Sequence, residues 1–335
     1  MIPSNSGIIA ILKILANIMR LLVTAGLLWA LAARFDLGRA AELIRGAEVP
    51  AIAATLVMLS VANLVAACRW QLILSAEATS PGQLTLLKVV LVGLFFNQVL
   101  PTGVGGDAVR VWRCSRLGIG LGAAIRSILL DRACGYLVLV ALYIAGLPTL
   151  LQLLPDARER GGVLAVLAVG VLGLLALVSL DRLPRTILRL RLIAPFAELS
   201  RASRRLFMDP ARCGAVLGFS IITIALTILA FKFVGDAVGS RLSLGSWIMI
   251  VPPVTLIQLL PVSLAGWGVR EMVLVIALGL FGIPAEVALA TSLLFGLCLI
   301  LVGLPGGVIW LTGWDIAPHR HPITQAEAPT PGGLD

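Results

Sequence analysis

The chain reads as long apolar runs separated by short polar breaks, and most of the basic side chains fall in the breaks. The first run covers Leu21 to Ala33, behind Lys13 and Arg20. It fits a signal peptide with Ala30-Leu31-Ala32 as cleavage site, or a retained anchor lengthened by Ile8 to Leu15; a multi-span chain favours the anchor. The second predicts a span from Pro50 to Ala67, closing at Arg69-Trp70 as a cation and an aromatic at an interface. Further runs cover Leu84 to Leu100, Ala133 to Leu154, Val163 to Leu180, Cys213 to Val234, Trp247 to Leu260, Met272 to Phe281 and Val287 to Leu311. A helix needs about 20 residues to cross the hydrocarbon core. Several runs meet that length, whereas those beside two Pro/Gly clusters do not. The pattern predicts an all-α, polytopic integral membrane helical bundle of about 7–8 transmembrane helices.

Composition sharpens this picture. Hydrophobic residues make up 59% of the 335 positions and charged residues only 13%. So few polar side chains cannot cover so apolar a core, and lipid must be the outer solvent. The apolar runs extend almost end to end, so one transmembrane domain is expected over 13–314. A cytoplasmic segment over 1–12 precedes it and a Pro-, Thr- and Gly-rich disordered cytoplasmic tail over 315–335 follows it.

The net charge of +9 raises nucleic acid as a partner, but the basic residues form no aromatic-interleaved surface and follow membrane topology instead. The segment from Asp181 to Arg212 carries eight arginines (Arg182, Arg185, Arg189, Arg191, Arg201, Arg204, Arg205 and Arg212) against three acids. The positive-inside rule makes it cytoplasmic, and both termini with it. The balanced loops from Arg34 to Val49 and from Pro155 to Arg160 then face outward. Five scattered cysteines and two tail histidines, His319 and His321, offer no metal-ligand spacing, so no metal and no cofactor are expected. Gly214/Gly218 and Gly303/Gly307 predict close helix packing, and Lys232 an outer-interface anchor.

The most informative feature is an internal repeat. Gln98-Val-Leu-Pro-Thr-Gly-Val-Gly-Gly-Asp-Ala-Val-Arg110 recurs 160 positions later as Gln258-Leu-Leu-Pro-Val-Ser-Leu-Ala-Gly-Trp-Gly-Val-Arg270, with six of thirteen residues identical. Three crossings between the copies would invert the second relative to the first. Paired Pro/Gly-interrupted segments of this kind point to a transporter's central site. Pro101 and Pro261 end a first half-helix, because proline lacks an N–H and clashes with the preceding turn. Gly103, Gly105, Gly106, Gly266 and Gly268 let the chain reverse. Two inverted re-entrant motifs are therefore expected; chance similarity in kinked helices is the plainer alternative.

Arg110 and Arg270 are costly in lipid, from about 2.5 to more than 10 kcal/mol. They should face a cavity, paired with Asp107 and Glu271, and could receive a lipid phosphate; the alternative is that they snorkel to an interface. Asp131-Arg132 opens the predicted span after the first motif as a cavity pair or an interfacial pair. Asn97, Gln98 and Gln258 offer hydrogen bonds to a headgroup or to neighbouring helices. Ser263 and Thr102 have no base beside them, so an enzyme acting through a covalent nucleophile is not expected.

The phrases Arg69-Trp70, Phe96-Asn97-Gln98-Val-Leu-Pro101, Gly106-Asp107-Ala-Val-Arg110, Asp131-Arg132, Leu260-Pro261 through Gly266-Trp-Gly268-Val-Arg270-Glu271 and Leu304-Pro305-Gly306-Gly307 stand in an order and spacing that resembles the lysylphosphatidylglycerol synthase transmembrane, flippase-like family. The resemblance implies a domain that moves a phospholipid or related lipid between leaflets of the bacterial cytoplasmic membrane. Full-length relatives add a soluble aminoacylating domain; here a short polar tail follows the last span, so lysyl transfer is not expected. Where the family pattern often has Glu, this chain has Asp107 and Asp131. Expected partners are a membrane lipid, a lipid synthase or glycosyltransferase, and a second copy of the chain. The rival reading is a membrane accessory protein that binds lipid or such a synthase without transporting anything.

Overall fold

The computed structural model describes residues 19, 21–26, 29–31, 33–78, 80–100, 105–154, 156–179, 194–258 and 267–313. The terminal segments 1–12 and 315–335, the turn residues Pro101, Gly103, Pro261 and Gly266, and Arg182, Arg185, Arg189 and Arg191 lie outside them. No strand occurs among the described residues. The helices after Asp36 are α1 (Leu37–Arg45), α2 (Val49–Glu77), α3 (Gln83–Val99), α4 (Gly105–Arg116), α5 (Leu121–Leu153), α6 (Ala157–Ser179), α7 (Ala194–Met208), α8 (Pro210–Ala237), α9 (Leu244–Ile257), α10 (Val269–Gly279) and α11 (Ala285–Thr312).

Four of them, α2, α5, α8 and α11, are long and apolar enough to cross a membrane. They start where the chain is pre-set for a helix. Pro50 and Pro210 occupy first-turn positions where a missing N–H costs nothing, and the Asp209 carboxylate accepts from the Arg212 N–H. The outward surface of these helices is apolar: Val57, Leu64, Ile144, Ile221, Leu301 and Val308 are exposed. In water such a surface would aggregate; in lipid it is the solvated face.

The internal repeat is far larger than the two motifs. The helices fall into two units of the same long–short–short–long order, α2–α5 and α8–α11. Their starts, Val49/Pro210, Gln83/Leu244, Gly105/Val269 and Leu121/Ala285, keep a nearly constant spacing. Contacts between the units are reciprocal. Helix α3 packs on α11 as α9 packs on α5, and α2 packs on α11 as α8 packs on α5. The equivalent helices α2 and α8 pack on each other most extensively. Thr55, early in α2, reaches the carbonyl of Ala230, late in α8; Arg69, late in α2, reaches Ser220, early in α8. The pair is therefore antiparallel, and the twofold relating the units lies across the helix axes.

Glycines set the closest approaches. A Cβ on Gly306 of α11 would strike the Leu91 carbonyl of α3, and one on Gly307 would lie 2.8 Å from the Phe95 ring. At the reciprocal contact Gly146 of α5 lies against Met249 of α9. The Gly303/Gly307 expectation thus holds, as a Cβ on Gly303 would lie 3.5 Å from the Phe95 backbone. Gly214 and Gly218 do not pack closely: nothing lies within 4 Å of an added Cβ at either.

Several predicted boundaries need correction. Arg69-Trp70 does not close a span at an interface; α2 continues to Glu77 and both residues are buried. Asp131-Arg132 does not open a span, because α5 begins ten residues earlier at Leu121. In both places the apolar run is interrupted by charges that pair with opposite charges on other helices, so the helix passes through them. The loops at Arg34–Val49 and Asp181–Arg212 contain α1 and α7. Lys232 is partly buried and pairs with Asp236 one turn on, at 2.5 Å.

Gly306→Ala should destabilise the protein by about 1–3 kcal/mol, the cost of overpacking a filled contact. Gly218→Ala should leave stability unchanged or slightly raised, since alanine is the better helix former. Thermal unfolding of the two variants in one detergent checks both; equal melting temperatures would contradict the assigned α3–α11 contact.

Candidate functional site

The site lies inside the bundle, where Asp131 and Arg132 sit about three turns into the 33-residue α5 and Arg69 about two turns before the end of α2. Helix α4 turns back on α3 there. The Gly106 N–H donates to Asn97 Oδ1 at 2.9 Å, and the absence of side chains at Gly93 and Gly106 lets the two backbones touch. The Arg110 side chain then lies across Gly93, where a Cβ would stand 2.8 Å from its Cγ. A larger residue at either glycine would push α4 away and withdraw the arginine.

Five charged side chains from three helices meet here. Asp131 accepts from Arg69 Nε at 2.8 Å with one oxygen and from an Arg110 terminal nitrogen at 3.5 Å with the other. Asp107 accepts from Arg110 at 3.4 Å and from Arg132 Nε. Arg69 also donates to Ser220 Oγ at 3.1 Å, and Arg132 to the Tyr136 hydroxyl at 3.2 Å. The Arg110 guanidinium stacks on Trp70, 4.2 Å from the ring centroid, and the Trp70 N–H is fixed by Ser127. Delocalised charge over an indole face is a favourable pairing that lysine would make less well.

Three guanidinium groups face two carboxylates, so the cluster carries one positive charge in excess. All four carboxylate oxygens already accept an arginine, and the buried Nε of Arg110 has no acceptor. These groups line a cavity of about 240 Å³ with Asn63, Asn97 and Thr223. Cation surplus and neutral polar groups around a void are the features of an anion site.

The second motif is built differently. Gly268, at a φ of +83°, caps α10, and its N–H donates to Glu271 Oε2 at 2.6 Å. The other Glu271 oxygen accepts from Arg270 at 2.8 Å and from Ser292 Oγ at 2.9 Å, while Arg270 Nε donates to Ser292 at 3.0 Å. Arg270 lies 5.0 Å from the Trp267 ring centroid and presses on Gly296. Arg270 is 4% exposed and Glu271 fully buried. This is one cation closed on one anion.

Of the predicted site residues, Asn97, Asp107, Arg110, Asp131 and Arg132 come together in the cavity, and Arg270 with Glu271 forms the separate closed pair. Arg270 does not line the cavity at Arg110. Gln98 is partly buried at the end of α3; Gln258 bonds back to the Val254 carbonyl of its own helix. Gly105 and Gly106 open α4. Sequence reasoning missed Arg69 as a member of the cluster, along with Trp70, Asn63, Tyr136, Ser220 and Thr223. The signal for Arg69 was available: a cation in one apolar run needs an anion, and Asp131 stands in another.

Apolar outer faces, four helices long enough to span and a charged cluster held between them define a multi-pass helical membrane protein with an internal polar site. The comparison with protein families specifies which kind. The model of the lysylphosphatidylglycerol synthase TM region matches residues 17–307, and the chain belongs to this family. No curated protein matches it.

Asp131→Asn leaves Arg69 and Arg110 short of a counter-charge and should cost about 3–5 kcal/mol of stability, as breaking a buried pair does. Arg69→Gln added to Asp131→Asn should recover part of that loss. A double-mutant cycle read by unfolding checks this; additive losses would show that the two residues do not interact.

Proposed function

We propose that this protein is a lipid flippase-like transporter, carrying an anionic headgroup between leaflets of the cytoplasmic membrane while the acyl chains stay in the bilayer. The observation that carries this reading is the cationic excess of the buried cluster, whose arginines Arg69, Arg110 and Arg132 line a cavity. An arginine there costs several kcal/mol unless an anion joins it, and such residues mark substrate pathways. Phosphate on a lipid supplies the anion, and guanidinium groups donate to its oxygens in a forked geometry. Membership of a family named for the membrane region of a lipid synthase supports a lipid as substrate class.

In this reading α3–α4 and α9–α10 are the two re-entrant hairpins. Helix α4, with 12 residues, spans about 18 Å and α10, with 11, slightly less, both short of the roughly 30 Å core. With the predicted run at Leu21–Ala33 and α6 added to the four long helices the chain makes six crossings, which puts both termini on the arginine-rich cytoplasmic side; counting the apolar hairpin limbs α3 and α9 as well gives the 7–8 apolar helices expected. Arg69, Arg110 and Arg132 hold the phosphate in the conformation described here. Arg270 takes it in a second conformation in which its pair with Glu271 opens, and Asp107 and Asp131 keep the emptied site from repelling its own arginines. No catalytic role is assigned.

In liposomes carrying a labelled anionic phospholipid, wild type should move the label between leaflets. Arg110→Ala should slow this about 10- to 100-fold, matching the loss of about 1.5–3 kcal/mol for a charge-assisted hydrogen bond. Arg270→Ala reports whether the second motif shares the load. Equal movement in wild type and both variants sinks the site; lipid that copurifies but never crosses favours the accessory role.

A further inference from the structure

Beside the charged cavity lies a second void of about 470 Å³, lined almost wholly by apolar groups of α5, α6, α7 and α9. Ala133, Val140, Val166, Gly170 and Leu256 are among them. Two residues line both voids: Arg132 and Tyr136. They are joined by the hydrogen bond from the Arg132 guanidinium to the Tyr136 hydroxyl. The polar site and the apolar groove are therefore separated by one side-chain pair.

Arg132 differs from its neighbours. Its side chain is 33% exposed, against 10% for Arg110 and 9% for Arg69, so it is the member of the cluster that looks outward. Helix α6 forms the far wall. It presents Gly170 and Gly173 to the groove, and at Gly173 nothing lies within 4 Å of an added Cβ. The open width on that wall comes from missing side chains.

We infer that the α5–α6–α9 groove is the seat of an acyl chain, and that an anionic glycerophospholipid docks there with its phosphate on Arg132 and onward access to Arg110. This rests on the reading of the cavity as a phosphate site and adds to it the side from which the lipid comes and the pair that gates it. A hydrocarbon chain fits because the walls are apolar and face the bilayer. A phosphate fits because the one cation at the groove's inner edge belongs to the cluster with the surplus charge. A soluble anion would meet the same arginines but has no use for the groove.

The test is photolabelling in vesicles doped with phosphatidylglycerol bearing a photoactivatable group in its acyl chain, beside diacylglycerol with the same chain. The phosphatidylglycerol probe should label α6 around Val166 to Leu174 and α5 around Ala133 to Val140 several-fold more than the neutral probe. Gly173→Phe should abolish that excess by filling the groove, and Arg132→Gln should remove the headgroup preference while labelling by the neutral probe persists. An excess of inorganic phosphate should leave the labelling intact. Equal labelling by both probes, a preference that survives Arg132→Gln, or displacement by phosphate would each overturn the proposal. Transport by wild type and Gly173→Phe is read separately. Unimpaired transport with Gly173→Phe rejects the groove while the Arg110 site stands, whereas absence of transport in wild type rejects the flippase reading itself.

Discussion

The placement of five charges in an apolar bundle depends on Asp107 and Asp131 each bridging two arginines. A guanidinium in a low-dielectric interior is tolerated only when its field is cancelled at close range. Asp131 ties α2 and α4 to α5, and Asp107 ties α4 to α5 again. Helix α4 has only 12 residues and few apolar ones, so packing alone holds it weakly. Its position is set by these ion pairs on one side and by the Gly93–Gly106 contact on the other. The electrostatics and the steric fit reinforce each other, because Arg110 reaches the carboxylates only when the glycines let α4 lie against α3.

The twofold makes the asymmetry of the two sites informative. Both units place an arginine early in their second short helix and a polar residue on the following long helix to meet it: Asp131 for Arg110, Ser292 for Arg270. The scaffold is duplicated, yet the charges are not. In the second unit the carboxylate moves next to the arginine, as Glu271, and Ser292 completes a shell in which each Glu271 oxygen is engaged. In this conformation the pair carries no surplus charge. In the first unit a third arginine joins, from a helix that meets its own twofold mate, and the sum no longer cancels. Where Arg69 stands in α2, the corresponding stretch of α8 carries the apolar run around Ala230.

Much of this could be read from the chain before any fold was seen. Hydropathy marks the apolar helices to within a turn or two at most ends, and the repeated Gln–Pro–Gly–Arg phrase marks two hairpins and both buried arginines. What could not be read had a common cause. Hydropathy treats a charge as the end of a span, but Arg69, Asp131 and Arg132 lie inside helices because they cancel each other across space. Their partners are 62 positions apart in the chain for Arg69 and Asp131, and 25 for Arg132 and Asp107. The repeat, too, was legible only where polar residues made it visible. The flanking halves of α2 and α8 share helix length and register but little sequence, since any apolar residue serves against lipid. The glycine pairs split for a similar reason: Gly303/Gly307 meets α3 and Gly214/Gly218 meets nothing, although the spacing is identical.

An inverted pair of units gives a membrane protein two arrangements of nearly equal energy, because exchanging the conformations of the halves reproduces the same contacts. That degeneracy is broken here by charge. Opening the second unit would expose a neutral pair that is already satisfied, whereas closing the first would squeeze a net cation out of the solvent or counter-ion it needs. The balance shifts when an anion enters the first unit, since the cluster then becomes neutral and its closure no longer buries uncompensated charge. In the proposed transport cycle the headgroup is then more than cargo: it would supply the counter-charge that lets the occupied site close, and a neutral headgroup in the same cavity would leave the barrier standing.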